Sequence, residues 1–176
     1  ELAELIAELV PSAEAVRFGK NGTDATSAAV RVSRAYTGRD EIIATGYHGW
    51  QDWYIGKTAR NRGVPALSHA HTHLIASGAL EEIEDTLRAS PDNVACIMVE
   101  PVYPDREAGE RYLSNLRRLS DQYGCLLVYD ETITGFRTAL GGAQQYYGVT
   151  PDLTTLGKGL ANGYPLSCLA GRADIM

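Results

Sequence analysis

Three features of the 176-residue chain predict an α/β domain, with three layers around a mostly parallel central sheet. The stretches NVACIMVEP and CLLVYDE are nearly continuous in apolar residues, as strands covered on both faces are. Strand patterns alternate with amphipathic helical patterns along the chain. The length and a hydrophobic content of 44% suit one globular domain.

The first half of the chain alternates between helix and strand patterns. The amphipathic stretch ELAELIAELV predicts an opening helix. AVRF at 15–18 predicts a short strand that ends in a glycine turn, and a helix closed by Gly38 follows it. A second strand is predicted at 41–45, ahead of the aromatic loop GYHGWQDWY. We expect residues 56–73 to be irregular.

The second half continues the alternation. Apolar residues at 80, 83 and 87 predict a helix with one buried stripe before the strand NVACIMVEP. Those at 113, 116, 119 and 123 predict another helix, which Gly124 ends before the strand at 125–131. A further apolar stretch predicts a strand just before Lys158.

Charge and composition narrow the classes of partner. The net charge of -6 and the pI near 5.2 disfavour nucleic acid and anionic membranes, because those partners require clustered positive charge. No apolar run approaches the roughly 20 residues that cross a bilayer, and no pattern of signal type opens the chain. We therefore expect a cytoplasmic protein whose partners are small molecules or other proteins. Three cysteines lie in apolar runs without CxxC spacing, which predicts buried, inert thiols: Cys96, Cys125 and Cys168.

Both ends of the chain have the pattern of a cut within a longer protein. The first residues already lie inside a helical pattern, and GRADIM ends without a terminating element. We expect the chain to be a piece of a larger protein.

Four stretches at the predicted strand ends carry polar or aromatic groups, and ligands bind beyond these ends in open α/β sheets. GKNGTDAT joins a strand to a helix whose start either favours a phosphate or is only capped. Asp130 follows five apolar residues and either caps the next segment or holds a cation. Tyr47 either lies flat on a planar ring or packs in a surface loop. Lys158 stands between two glycines, either in a closely approached backbone or in an exposed turn.

In combination these four stretches are the parts that bind pyridoxal 5'-phosphate. They supply a loop and helix start that can bind a phosphate, an aromatic ring that can stack on the cofactor, a carboxylate at a strand end and a lysine. The carboxylate keeps the pyridine nitrogen protonated so that the ring accepts electrons, and the lysine forms a Schiff base with the aldehyde.

The motifs that carry a family resemblance are NGTDAT, GYHGW, VEPV, YDETITGFR and GVTPDLTTLGKGLANGYPLSCLAGR. Through them the chain resembles the class III aminotransferases of the fold-type I pyridoxal-phosphate enzymes over nearly its whole length. The stretch TGFRTALGGAQQYYGVTPDLTTLGK is most similar to the glutamate-1-semialdehyde aminomutase-like branch.

The resemblance implies site residues for the cofactor. Lys158 carries the internal aldimine, and Asp130 pairs with the ring nitrogen. Tyr47 stacks on the ring and Thr132 lies against its opposite face. The phosphate is bound through the loop and helix start by two residues, Gly22 and Thr23.

Other positions are implied to support the site or depart from the family pattern. Glu100 belongs to the supporting polar shell, and His48 orients its neighbours. Asn21 stands where serine is common, and Ile133 stands where many relatives have a glutamine near the ring hydroxyl. EPVYPDREAGERY differs from the continuation usual in aminomutases.

The implied activity is the transfer of an amino group between an amine or amino acid and a carbonyl compound. The alternative is glutamate-1-semialdehyde 2,1-aminomutase, which moves the amino group within one molecule. The resemblance also implies a homodimer. Residues 1–176 would be the PLP-binding large domain, truncated at both ends and without the C-terminal small domain.

Two interpretations from other classes are kept beside this one. In SHAHTH three histidines alternate and would share one face of an extended segment, as a divalent-metal module requires: His69, His71 and His73. The family interpretation assigns no metal. In the second interpretation, the chain is a cofactor-fold protein that has lost its chemistry and serves as a binding partner. Lys158 and Asp130 argue against this, because a scaffold needs neither residue.

Overall fold

The computed structural model describes all residues from Glu1 to Met176, and it has one seven-stranded sheet with helices on both faces. The strands are β1 (Ala15–Gly19), β2 (Glu41–Thr45), β3 (Thr72–Leu74), β4 (Val94–Val99), β5 (Leu126–Asp130), β6 (Leu153–Leu156) and β7 (Ser167–Gly171). The helices are α1 (Leu2–Leu9), α2 (Gly22–Thr37), α3 (Asp52–Ile55), α4 (Leu80–Ala89), α5 (Arg106–Tyr123) and α6 (Gly142–Tyr147). Two 3-10 helices are also present, Ala66–His69 and Lys158–Leu160.

The sheet is mostly parallel, which confirms the prediction. Its strand order is β1-β7-β6-β5-β4-β2-β3. The five strands from β6 to β3 pair in parallel, whereas β7 runs antiparallel to both of its neighbours, β1 and β6. Strand β1 therefore points the same way as the five parallel strands, and the carboxyl ends of these six strands lie along one edge of the sheet.

Alternate strand residues pack against opposite helical layers. In β2, Ile43 joins the buried cluster of α4 and α5, whereas Ile42 joins that of α2 and α3. Burial of such a side chain contributes about 1.5–3 kcal/mol. The three-layer architecture is therefore confirmed. The helical residues of the first cluster include Ile83, Leu87, Leu113, Leu116 and Leu119, and those of the second include Ala29, Val30, Trp53 and Tyr54.

The two long helices end at the glycines that the sequence predicts. Gly38 and Gly124 follow α2 and α5 with φ angles of 70° and 62°, in the left-handed region that glycine enters without a steric penalty. At the start of α5, the Asp105 side chain accepts a hydrogen bond of 2.8 Å from the Ala108 N–H.

The structure differs from the sequence prediction in five short elements. Residues 56–73 are not wholly irregular, because they include the 3-10 helix Ala66–His69 and the first two residues of β3. The aromatic loop contains α3, and neither α6 nor the direction of β7 was predicted. Each is three to six residues long, which is too short for a hydrophobic period to show.

Asp152 joins several elements at the edge where the parallel strands begin. Its Oδ2 accepts hydrogen bonds of 2.8 Å from the Leu127 N–H of β5 and from the Arg117 guanidinium of α5. Its Oδ1 accepts one of 3.0 Å from Arg172, just beyond β7. The carboxylate therefore links β5, α5 and the segment after β7. The two hydrogen bonds from arginines are charge-assisted.

Glu131, directly after β5, fixes the start of α6. The side chain is fully buried, and its oxygens accept hydrogen bonds from the backbone N–H groups of Ala143 and Gln144 at 2.5 and 3.2 Å. Gly142 has a φ of 77°, and a Cβ there would overlap the Glu131 carboxylate. The turn into α6 therefore requires glycine.

The three cysteines are buried and unpaired, as predicted. Burial raises the pKa of Cys96 to about 12, of Cys125 to about 11 and of Cys168 to about 12. No helix of the structure combines the length and the apolar character that a membrane span needs.

Candidate functional site

A cleft of about 300 Å³ opens at the carboxyl ends of the parallel strands. The loops after β1, β2, β4, β5 and β6 each bring residues to it. All six residues that the family resemblance implied line this one cleft: Gly22, Thr23, Tyr47, Asp130, Thr132 and Lys158. Glu100, His48, Asn21 and Ile133 line it as well.

The start of α2 presents free donors to the cleft. Asn21 caps the helix, and it forms a capping box with Asp24, whose carboxylate accepts from the Asn21 N–H at 3.2 Å. The backbone N–H groups of Gly22 and Thr23 donate no hydrogen bond within the chain, and neither does the Thr23 hydroxyl. Free N–H groups and the positive end of the helix dipole together favour an anion here.

Gly22 is closely approached by Thr132 from the loop after β5. A Cβ at Gly22 would lie 3.0 Å from the Thr132 Cγ2. The same methyl group would lie 3.2 Å from a Cβ at Gly157, after β6. Three loops therefore meet at Thr132, and a Cβ at either glycine would contact its methyl group more tightly than side chains usually pack.

Asp130 is the buried acid of the cleft, with an exposed fraction of 4%. Its Oδ1 accepts from the Thr132 N–H at 3.1 Å, the Thr132 hydroxyl at 2.6 Å and the Thr155 hydroxyl at 2.9 Å. Its Oδ2 lies 2.9 Å from the Nδ1 of His48. The carboxylate is thus held on both oxygens by the protein.

His48 shares a proton with Asp130. The His48 Nε2 lies 3.0 Å from the carbonyl oxygen of Thr45, which can only accept, so this nitrogen carries hydrogen. The Nδ1 faces the carboxylate, so the pair holds one further proton between them. Burial raises the pKa of Asp130, but the hydrogen bond and charge of His48 and the hydrogen bonds of Thr132 outweigh it, and the net pKa lies below the ordinary value.

Lys158 follows β6, and it occupies an unusual backbone conformation. Its φ is 39°, in the left-handed region that costs a residue other than glycine about 1–2 kcal/mol. Gly159 lies against the carbonyl oxygen of Gly135, which would be 3.2 Å from a Cβ. The flanking glycines are therefore explained by close approach of other loops, and the strained lysine projects from an exposed position into the cleft.

Tyr47 and Glu100 form the rim on the β2 and β4 side. Tyr47 has an exposed fraction of 54% and packs edge-on against Tyr54 at 5.7 Å. Its N–H donates to Oε2 of Glu100 at 3.4 Å. Ile133, half exposed, brings an apolar side chain to the cleft where a glutamine would bring a hydrogen-bonding one.

Several residues at this site were not predicted from the sequence, among them Lys20, Ser167 and Thr155. Lys20 lines the cleft beside the start of α2 and adds a second cation. The Ser167 hydroxyl donates to the carbonyl oxygen of Asn21 at 2.7 Å and ties the cap of α2 to β7. Thr155 donates to Asp130 from within β6. A polar residue in an otherwise buried strand was the available signal for Thr155, but its partner depends on strand register.

The three histidines of SHAHTH do not form the metal site that was considered. His69 lies in the 3-10 helix Ala66–His69, whereas His73 lies in β3, so the segment is not extended throughout. No group of three or more His, Cys, Asp or Glu side chains is placed to hold a metal ion. The metal-binding interpretation was therefore wrong.

Comparisons with known proteins agree on one family. The model of the class III aminotransferases matches residues 1–176. The chain is 41% identical to a glutamate-1-semialdehyde 2,1-aminomutase of Neisseria gonorrhoeae, over an alignment that includes 99% of the chain and 44% of the aminomutase. The chain thus spans less than half the length of this relative.

Two solved structures show the same fold. An omega-transaminase from Sphaerobacter thermophilus superposes with a TM-score of 0.88 at 32% identity, over 99% of this chain and 44% of that one. The FumI protein of Sphingopyxis sp. MTA144, solved in its PLP internal aldimine form, gives the same TM-score and identity over 99% and 43%. The α/β fold is therefore shared with these transaminases, and the chain belongs to the class III aminotransferase family.

Proposed function

We propose that the protein transfers an amino group between an amine or amino acid and a carbonyl compound, with pyridoxal 5'-phosphate as cofactor. The observation that carries the proposal is that the amine of Lys158, the carboxylate of Asp130 and the free donors at the start of α2 line one cleft. The family to which the chain belongs supports the same activity.

The residues of the cleft fit this cofactor. The free N–H groups of Gly22 and Thr23 and the Thr23 hydroxyl would bind the phosphate. The Asp130 Oδ2, which accepts from His48 alone, has a lone pair left for a protonated ring nitrogen. Tyr47 would stack on one face of the ring and Thr132 would contact the other, since both line the cleft.

When bound, the cofactor supplies an aldehyde that forms a Schiff base with an amine and a ring that accepts electrons from the substrate carbon. Lys158 would provide that amine in the resting protein. Once a substrate amine has displaced it, the Lys158 Nζ would take the proton from the substrate carbon that bears the amino group. Asp130 would hold the proton on the ring nitrogen, and His48 would hold Asp130 in place.

A second candidate is glutamate-1-semialdehyde 2,1-aminomutase, supported by the 41% identity to the Neisseria gonorrhoeae aminomutase. The two activities differ in whether a second substrate is needed. An aminomutase converts glutamate-1-semialdehyde alone into the isomer whose amino group has moved to the neighbouring carbon. An aminotransferase without this specificity requires a separate amine and carbonyl compound.

The finer properties belong to the same proposal. We propose that residues 1–176 form most of the cofactor-binding large domain and that a C-terminal small domain belongs to the complete protein, because the chain spans 44% of the aminomutase. We also propose a cytoplasmic homodimer that acts on a small-molecule amino donor and carbonyl acceptor.

The test compares Lys158→Ala with Lys57→Ala, a control lysine that is exposed and does not line the cleft. The wild-type protein is mixed with pyridoxal 5'-phosphate and assayed on a panel of amines and keto acids, and on glutamate-1-semialdehyde alone. We expect Lys158→Ala to abolish turnover and the visible absorption band of the bound cofactor, and Lys57→Ala to retain both. Wild-type rates in Lys158→Ala would exclude the proposal.

A further inference from the structure

We propose that Thr155 is a positioning residue for Asp130, in an inference that rests on the proposed function. The Thr155 hydroxyl and the two donors of Thr132 fill the acceptor positions of the Asp130 Oδ1. Only Oδ2 can then accept a hydrogen bond from the protonated ring nitrogen of the cofactor. Thr155 does not line the cleft, and it acts through Asp130 alone.

The donors around the Asp130 carboxylate are shared unequally between its two oxygens. An ionised carboxylate offers about four acceptor positions, two on each oxygen. Oδ1 receives three donors, from the Thr132 N–H, the Thr132 hydroxyl and the Thr155 hydroxyl, at 3.1, 2.6 and 2.9 Å. Oδ2 receives one, from His48 at 2.9 Å. The protein therefore saturates one oxygen and leaves one position on the other.

Thr155 is the donor that the sheet holds most rigidly. It lies in β6 directly beside Asp130 of β5 in the parallel ladder, and it is fully buried. Its own carbonyl oxygen accepts from the Glu131 N–H at 2.9 Å, which fixes the backbone just after Asp130. Thr132, by contrast, lies in the loop after β5 and is only partly buried.

Without the Thr155 hydroxyl, the Asp130 carboxylate has more freedom to rotate. The torsion about the bond to the carboxyl group has broad, roughly two-fold preferences, so contacts on the oxygens decide its angle. A rotated carboxylate presents Oδ2 at a different angle to a ring nitrogen. The loss of one donor to the charged form also makes Asp130 harder to keep ionised in its buried position.

The chain offers a matched control in the neighbouring residue. Thr154 is also fully buried in β6, but its side chain faces the other side of the sheet. Its hydroxyl is 2.8 Å from the Ser12 hydroxyl and accepts from the Gln144 amide at 3.0 Å. Thr154→Val removes two buried hydrogen bonds from the same strand without touching Asp130.

The experiment measures the dissociation constants of two probes by titration of the apoprotein. One probe is pyridoxal 5'-phosphate, and the other is its analogue with carbon in place of the ring nitrogen. We expect Thr155→Val to weaken binding of pyridoxal 5'-phosphate about tenfold, as loss of one hydrogen bond to a charged group predicts. Its affinity for the carbon analogue should stay within about twofold of the wild-type value, because that probe has no ring nitrogen for Asp130 to receive.

Two further variants make the result specific. Thr155→Ser, which keeps the hydroxyl, should restore binding of pyridoxal 5'-phosphate, and Thr154→Val should leave the affinities for both probes unchanged although it destabilises the fold. Equal weakening of both probes by Thr155→Val, or no weakening of either, would overturn the inference. Failure of the wild-type protein to bind pyridoxal 5'-phosphate would overturn the proposed function and this inference together.

Discussion

The His48 and Asp130 pair yields a prediction that needs no cofactor. His48 is buried, with an exposed fraction of 1%, and it joins the Asp130 carboxylate to the Thr45 carbonyl oxygen. His48→Phe keeps an aromatic ring beside Trp53 and Tyr54, whose ring centroids lie 6.5 and 5.4 Å away. The substitution removes both hydrogen-bond donors and leaves two buried acceptors.

The magnitude follows from these two acceptors. Each buried group left without its partner costs about 1–3 kcal/mol, and a charged group costs more than a neutral one. Part of this cost is offset because phenylalanine is the more apolar residue. We therefore expect His48→Phe to lower the free energy of unfolding by about 3 kcal/mol at pH 7.

The cost depends on pH because Asp130 is charged. In the wild-type protein the pKa of Asp130 lies below its ordinary value, so its contribution to stability is present above the unfolded pKa, near 4, and is lost as the pH falls through the folded pKa. In His48→Phe the stabilising partner is absent and burial still raises the pKa, so the variant gains stability relative to wild type as Asp130 takes up a proton. The difference in the free energy of unfolding between the two proteins should therefore narrow from pH 7 to pH 4.5.

The assay is urea unfolding of both proteins at pH 7 and pH 4.5, followed by circular dichroism. Tyr54→Phe is the control, because it belongs to the same aromatic cluster and loses one neutral hydrogen bond, of 2.7 Å to the carbonyl oxygen of Gly46. That variant should lose about 1 kcal/mol at both pH values. A loss below about 1 kcal/mol in His48→Phe, or one independent of pH, would refute the reasoning.

Three other predictions concern the rest of the fold. Asp152→Ala should lower the free energy of unfolding by about 3 kcal/mol in urea titrations, since it leaves the Leu127 N–H and two arginines without their acceptor, and Asp152→Asn should lose less. Gly142→Ala should lower the free energy of unfolding by more than about 2 kcal/mol, because a Cβ there overlaps Glu131. Gly148→Ala, at a φ of 71° in open space, should lower it by only about 1 kcal/mol in the same measurement. The three thiols should not react with a disulfide reagent at pH 8 in the folded protein and should all react in urea, because a pKa of about 11 or 12 leaves about one thiolate in a thousand or fewer.

The site was predictable from the sequence because its main groups follow buried strands. Asp130 is the last residue of β5 and Lys158 comes shortly after the end of β6. Parallel strands end at one edge of a sheet. A local pattern was therefore enough to place distant residues in one cleft. The helix terminators Gly38 and Gly124 were predictable for a similar reason, because a left-handed cap is a property of one residue.

The remaining features depend on pairing between distant segments. Strand β7 pairs with β1, for example Ala15 with Gly171, and with β6. No local hydrophobic period in the sequence indicates which strands it pairs with. The partner of Thr155 is set by the register of β5 and β6, and that of His48 lies 82 residues away. The strand β3 is too short to show a period of two residues.

The meeting of three loops at Thr132 has a consequence for how this protein can evolve. Because its methyl group fills the space beside both Gly22 and Gly157, a change of volume at any of these positions is felt by the other two. Double-mutant cycles among them should be strongly non-additive. Tolerated substitutions at position 132 should therefore keep the volume of threonine, and larger ones should persist only in lineages where the neighbouring turns have shifted first.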